Sequence, residues 1–149
     1  MTDKDLPNFA VVAPGIYRGA APTTEGLTKL KAQGVRTIID LRIEKKGQAE
    51  EDAAARALGL KRIRIPLGAE APTEKQVTQF LATLDRAKSE PVFVHCQHGA
   101  DRTGAMIGIY RVSRQGWSFE MTWKEMRKYE FKTFLKALKG AVEKRVNKK

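Results

Sequence analysis

One stretch limits what this chain can fold into more than any other: Val92-Phe93-Val94-His95-Cys96-Gln97-His98-Gly99-Ala100-Asp101-Arg102-Thr103-Gly104. An apolar, β-branched run passes directly into a polar, glycine-containing loop. A helical pattern carrying Ala105, Met106, Ile109 and Val112 leaves it. Such a run reads as a strand buried on both faces, the kind found in parallel sheets covered by helices. Further β-like runs lie at 15–18, 35–41 and 60–65, and helical patterns at 24–33, 48–58, 73–88, 104–114, 118–128 and 131–146. Gly34 and Gly59 stand where two of these helices stop. Thr73 and Gln76 form a capping box ahead of an apolar face of Val77, Phe80, Leu81 and Leu84. Phe134, Leu135, Leu138 and Val142 are the expected inner face of the last helix. Strands alternating with helices predict an α/β fold: one domain over residues 1–149, a central, mostly parallel sheet flanked by helices.

Composition narrows the class. A chain of 149 residues, 42% hydrophobic and 30% charged, suits one soluble core and excludes disorder. No apolar run approaches the ~18 residues of a membrane helix. The first residues, Met1-Thr2-Asp3-Lys4-Asp5-Leu6-Pro7, do not read as a signal peptide. The cytoplasm is therefore the expected location, or export if a leader was trimmed. The lone Cys96 excludes an internal disulfide and a multi-thiolate zinc site. The net charge of +11 calls for an anionic partner: nucleic acid, a lipid headgroup or a polyphosphorylated small molecule. No nucleic-acid recognition motif or stacking surface accompanies it, so nucleic acid is not the expected partner. The basic stretch 121–149 is read as core packing with a solvated outer face, and a monomer is expected.

The order strand, Cys, loop, Arg, helix has a chemical reading. A strand-to-helix turn can aim the backbone N–H groups of Gln97, His98, Gly99 and Ala100 into one cavity, with the helix N-terminus adding positive potential. Such a setting lowers a cysteine from ~8.5 into the range ~3.5–7.5 and makes Cys96 a thiolate nucleophile. The planar fork of Arg102 can hold two phosphoryl oxygens, which a lysine cannot do bidentately. Thr103 can hydrogen-bond the sulfur when it becomes the leaving group. His95 is read as an orienting residue for the loop, since a thiolate needs no base.

His-Cys-x5-Arg-Thr-Gly resembles the signature of the protein tyrosine phosphatase superfamily, in its small dual-specificity-like branch. The segments Phe9-Ala10-Val11-Val12-Ala13-Pro14-Gly15-Ile16-Tyr17-Arg18-Gly19-Ala20-Ala21-Pro22 and Gly34-Val35-Arg36-Thr37-Ile38-Ile39-Asp40-Leu41-Arg42 are similar to its opening and its Asp-Leu-Arg strand. The resemblance implies a central sheet flanked by helices, a two-step phosphocysteine mechanism, and no metal or other cofactor. It also implies a general-acid Asp before the capping-box helix. Here Ile65-Pro66-Leu67-Gly68-Ala69-Glu70-Ala71-Pro72-Thr73 holds none. Two carboxylates stand in its place: Asp101 inside the loop, where myotubularin-type lipid phosphatases carry Asp, and Glu70 on the pre-helix segment. Asp101 is the favoured donor.

The resemblance extends to the inositol-polyphosphate branch, in which a similar strand leads into a substrate-contacting loop. Arg42, Lys45 and Lys46 are thus expected on the pocket rim with His98, and Asp40, like His95, is expected as an orienting residue. The expected substrate is an inositol polyphosphate or a phosphoinositide headgroup; the alternative is a phosphoprotein, tyrosine or dual-specificity. A rhodanese-type sulfur transferase and a non-catalytic phosphate-binding module are disfavoured, since both Cys96 and Arg102 are present at the five-residue spacing.

Overall fold

The computed structural model describes residues 3–146. The element order is β1 (Ala10–Ala13), β2 (Ile16–Gly19), α1 (Thr24–Ala32), β3 (Thr37–Arg42), α2 (Gln48–Leu58), β4 (Lys61–Leu67), α3 (Glu74–Asp85), β5 (Val92–His95), α4 (Asp101–Arg114), α5 (Phe119–Lys128) and α6 (Lys136–Glu143). The sheet runs β1-β2-β5-β3-β4. The pairs β2·β5, β5·β3 and β3·β4 are parallel, and β1 alone is antiparallel, to β2. The α/β architecture with a mostly parallel sheet is as the alternating pattern predicts.

β5 lies in the middle and all four of its residues are buried. Period-2 alternation then divides the core. Val92, Val94 and Ile39 face a cluster built with Val77, Phe80, Met106, Ile109 and Leu138 from α3, α4 and α6. Phe93 and Ile38 face a second cluster with Leu27, Leu30 and Ala55 from α1 and α2. The result is three layers. Gly108 lets α4 lie close to its neighbours, for a Cβ there would stand 3.1 Å from Val142 Cγ2 and 3.3 Å from Met126 Sδ. Among the described residues no helix is long and apolar enough to cross a membrane.

Three local expectations are corrected. β1 was not foreseen; it is a short edge strand whose Val11 is 64% exposed, so it lacks a core-facing apolar run. α4 begins at Asp101, one turn before Gly104, because the loop closes directly into the helix. The last helix spans only Lys136–Glu143. Ahead of it Glu130 takes φ +68, and the Lys132 N–H donates to Asp101. Phe134 is consequently 69% exposed, and Phe131 fills the core in its stead, edge-on to Trp123 at 5.7 Å. Leu138 and Val142 do face inward, and Leu135 is half-buried. Of the basic stretch at the C-terminus, residues 147–149 lie outside the described residues.

The capping box at α3 is present in both directions: Thr73 Oγ1 accepts from Gln76 N at 3.1 Å and Gln76 Oε1 from Thr73 N at 2.9 Å. Thr73→Ala is expected to lower stability by about 1 kcal/mol with an unchanged denaturant slope, checked by urea unfolding.

Candidate active site

Cys96 follows β5 directly, at the carboxyl ends of the parallel strands, where open α/β sheets place their ligands. It is 2% exposed, and the Gly99 N–H donates to its sulfur at 3.3 Å. Every carbonyl from 96 to 100 accepts a hydrogen bond. Cys96 O faces His95 Nδ1 at 3.1 Å, Gln97 O accepts from Ala21 N at 3.2 Å, and His98 O from Asn8 Nδ2 at 3.2 Å. Gly99 O accepts from Arg18 Nη2 at 3.0 Å, and Ala100 O from Gly104 N at 3.1 Å. In a trans peptide the carbonyl and the next N–H point opposite ways. Tying the carbonyls of this turn to partners elsewhere thus leaves the N–H groups for the sulfur and for an anion above it. Gly99 is required twice over: its φ is +78, and a Cβ would meet Gly19 C at 2.6 Å and Ala20 N at 2.8 Å.

Behind the loop lies a buried polar network. His95 is wholly buried, and its Nε2 lies 2.9 Å from Glu51 Oε2. Glu51 also accepts from Arg42 Nη2 at 3.2 Å and Arg62 Nε at 3.0 Å. Asp40 accepts from Arg42 through its N–H at 3.0 Å and its Nη2 at 2.8 Å, and from Arg62 Nη2. Arg42 is therefore not a rim residue. It is 3% exposed, because Asp40, two positions earlier on the same strand face, turns its guanidinium inward. Asp40 itself orients Arg42 and Arg62. Burial pushes its carboxyl up, but the bonds from Arg42 and the charge of His95 outweigh this and hold it at about 2. Asp40, Glu51 and His95 are close enough to share a metal ion, but their oxygens already face two guanidinium groups, a setting that repels a cation.

Arg102, in the first turn of α4, reaches across the mouth. Its Nη1 and Nη2 donate to the two oxygens of Glu44 at 2.6 and 3.0 Å, and Nη1 also to Leu67 O at 3.2 Å. The Arg102 guanidinium holds the Glu44 carboxyl down at about 2. The Thr103 hydroxyl is buried and has no partner among the described residues, so it is available to a ligand or to the sulfur. Asp101 stands beside Arg102 as expected, but its two oxygens accept from Lys132 N at 2.9 Å and Lys132 Nζ at 2.8 Å. Lys45 and Lys46 are exposed next to Glu44, and Glu70 is exposed on the segment before α3. Gln97 and His98 are exposed and border a hollow of about 570 Å³ with Asn8 and Glu130. Sequence reasoning missed Glu44, Arg18, Glu51, Asn8 and Lys132. The one available signal was an arginine at a core position in the run Ile16-Tyr17-Arg18-Gly19.

Residues 2–143 match a family model described as DSP-PTPase phosphatase fused to NAD+ kinase. The chain belongs to this phosphatase family. Among relatives of these phosphatases, the dual specificity protein phosphatase TpbA of Pseudomonas aeruginosa is 30% identical over 121 residues, which are 80% of this chain and 53% of TpbA. The inositol diphosphatase DSP3 of Arabidopsis thaliana is 31% identical over 127 residues, 81% of this chain and 61% of the relative. The chain thus spans little more than half the length of either. The solved core catalytic domain of the PP-IP phosphatase SIW14 from S. cerevisiae superposes with a TM-score of 0.78 at 25% identity, covering 93% of this chain and 85% of that one.

The depressed Asp40 carboxyl has a consequence for stability. A carboxyl held at about 2, below its ordinary 3.8, adds stability that is complete above 3.8 and lost as pH falls through about 2. Wild-type stability should fall across that window. Asp40→Asn, less stable at neutral pH, should show a flatter profile there, measured by urea midpoints at each pH.

Proposed function

We propose that this phosphatase domain hydrolyses phosphate monoesters through a phosphocysteine, with inositol polyphosphates as the substrate class. The observation that carries the reading is the grip of Arg102 on Glu44. A planar carboxylate held by both arms of the fork occupies the kind of place two phosphoryl oxygens would take. Binding would exchange Glu44 for the phosphoryl group, with the N–H groups of the 96–100 turn holding its remaining oxygens.

In the first step the Cys96 thiolate attacks phosphorus; the S–P bond forms, the ester P–O bond breaks, and the leaving oxygen takes a proton. In the second, water attacks phosphorus, the S–P bond breaks, and orthophosphate and the thiolate are regenerated. The unpartnered Thr103 hydroxyl supports a role for it on the departing sulfur. For the proton donor we infer Asp101 over Glu70. Asp101 adjoins Arg102 and is held in place by Lys132, whose own side chain is half exposed.

The substrate class rests on the charge of +11, on exposed Lys45, Lys46 and His98 around the mouth, and on the name of the DSP3 relative. Arg42 no longer contributes to this argument. The TpbA relative's name favours a phosphoprotein instead. Phosphate release from inositol hexakisphosphate, an inositol pyrophosphate and a phosphotyrosine peptide separates the two. Preference for the polyanions should shrink as salt rises. Equal efficiency on the peptide, insensitive to salt, would favour the phosphoprotein. On para-nitrophenyl phosphate, Cys96→Ser should abolish turnover, Arg102→Lys should lose most of it, and chelator should change nothing; an active Cys96→Ser sinks the mechanism.

Leaving-group chemistry tests the donor. Nitrophenolate leaves unprotonated, whereas an inositol alkoxide needs a proton. Asp101→Asn should slow an inositol phosphate by ~10²-fold or more while largely sparing para-nitrophenyl phosphate. Glu70→Gln should affect neither. A selective loss in Glu70→Gln alone would transfer the role to the pre-helix loop.

A further inference from the structure

Among the described residues Arg18 is the largest wholly buried side chain, 1% exposed on β2 next to the strand that delivers Cys96. Its position is unusual for a cation. Among the described residues its only hydrogen-bond partner is the Gly99 carbonyl, at 3.0 Å. Its guanidinium lies 4.0 Å from the centre of the Tyr129 ring, and its Nε and Nη1 have no partner. An unpaired buried charge is costly. Glu125, a carboxylate whose charge acts on it, is engaged by Arg111 at 2.7 Å.

We propose that Arg18 is a positioning residue of the phosphate loop, which fixes the Gly99 peptide from below and holds Cys96 as the thiolate with its buried charge. Gly99 is the link. Its carbonyl is drawn to Arg18, while its N–H donates to the sulfur. The peptide between Gly99 and Ala100 is held with its carbonyl toward Arg18, so the Ala100 N–H points the other way. The Tyr129 ring covers the guanidinium without neutralising it. Burial pushes Arg18 down from its usual value, while Glu125, Tyr129 and the Cys96 sulfur act the other way. The charged and titratable groups around the sulfur are then Arg102 from α4, the His95 ring from β5 and Arg18 from β2. Arg111 and Glu125 pair with each other behind Arg18, and Asp101 is turned to Lys132.

The proposal rests on Cys96 being the nucleophile, but its test does not need turnover. Cys96 is the only cysteine, so iodoacetamide alkylation against pH reports one thiolate. Arg18→Gln keeps a donor for Gly99 but removes the charge. Arg18→Lys keeps the charge but loses the planar fork. The Gln variant is expected to raise the alkylation midpoint by about one unit, with alkylation at pH 6 about tenfold slower. The Lys variant should keep a midpoint near wild type while losing turnover of para-nitrophenyl phosphate. A folded Gln variant with the wild-type midpoint, or a Lys variant shifted as far as Gln, overturns the proposal. Should Arg18→Gln not fold, Tyr129→Leu opens the guanidinium to water and is expected to raise the midpoint by a smaller step; no movement there overturns it equally. A wild-type protein that is inactive on every ester, yet shows this Arg18-dependent midpoint, would leave the proposal standing and remove the functional reading.

Discussion

The rest of this site depends on where five consecutive carbonyl groups point. A turn that binds an anion must turn its N–H groups in and its oxygens out, and buried outward oxygens need donors. Residues 96–100 draw those donors from four separate places: the preceding His95, the segment around Asn8 and Ala21, the buried Arg18, and the first turn of α4. None of the five donors is in the turn itself. The loop is a shape imposed by its surroundings.

That requirement explains the charged interior. Asp40, Arg42, Glu51 and Arg62 are each buried or nearly so, and such groups contribute little net stability over an apolar packing of the same volume. Their value lies in direction. Arg42 and Arg62 fix Glu51, Glu51 faces His95, and His95 faces the Cys96 carbonyl. The network carries position from the β3–β4 edge of the sheet to Cys96.

The local parts of this architecture were legible in the sequence. The capping box, the run at 92–95, the Cys-to-Arg spacing and most helix faces depend on residues near one another in the chain, where periodicity and turn chemistry are visible. Part of what the sequence hid involves more distant partners. Arg42 reads as a rim cation until Glu51 and Asp40 are seen to enclose it. Lys132, 31 residues on from Asp101, donates to both its oxygens. Arg18 meets Gly99 across 81 residues, and Glu44 meets Arg102 across 58. No local pattern carries such pairings. A charged residue in a core register, as at Arg18, indicates only that some partner exists.

On the function proposed above, the Glu44–Arg102 pair would give the mouth a threshold. While the carboxylate sits on the fork, the strongest cation of the site is already neutralised, and Lys45 and Lys46 beside it face solvent. A weakly charged or monodentate anion meets an occupied fork and gains too little to displace a two-armed partner. A doubly charged phosphoryl group can match both arms and keep charge to spare for the loop. The pair would in this sense act as a rectifier for anions, opened by those able to match both arms of the fork.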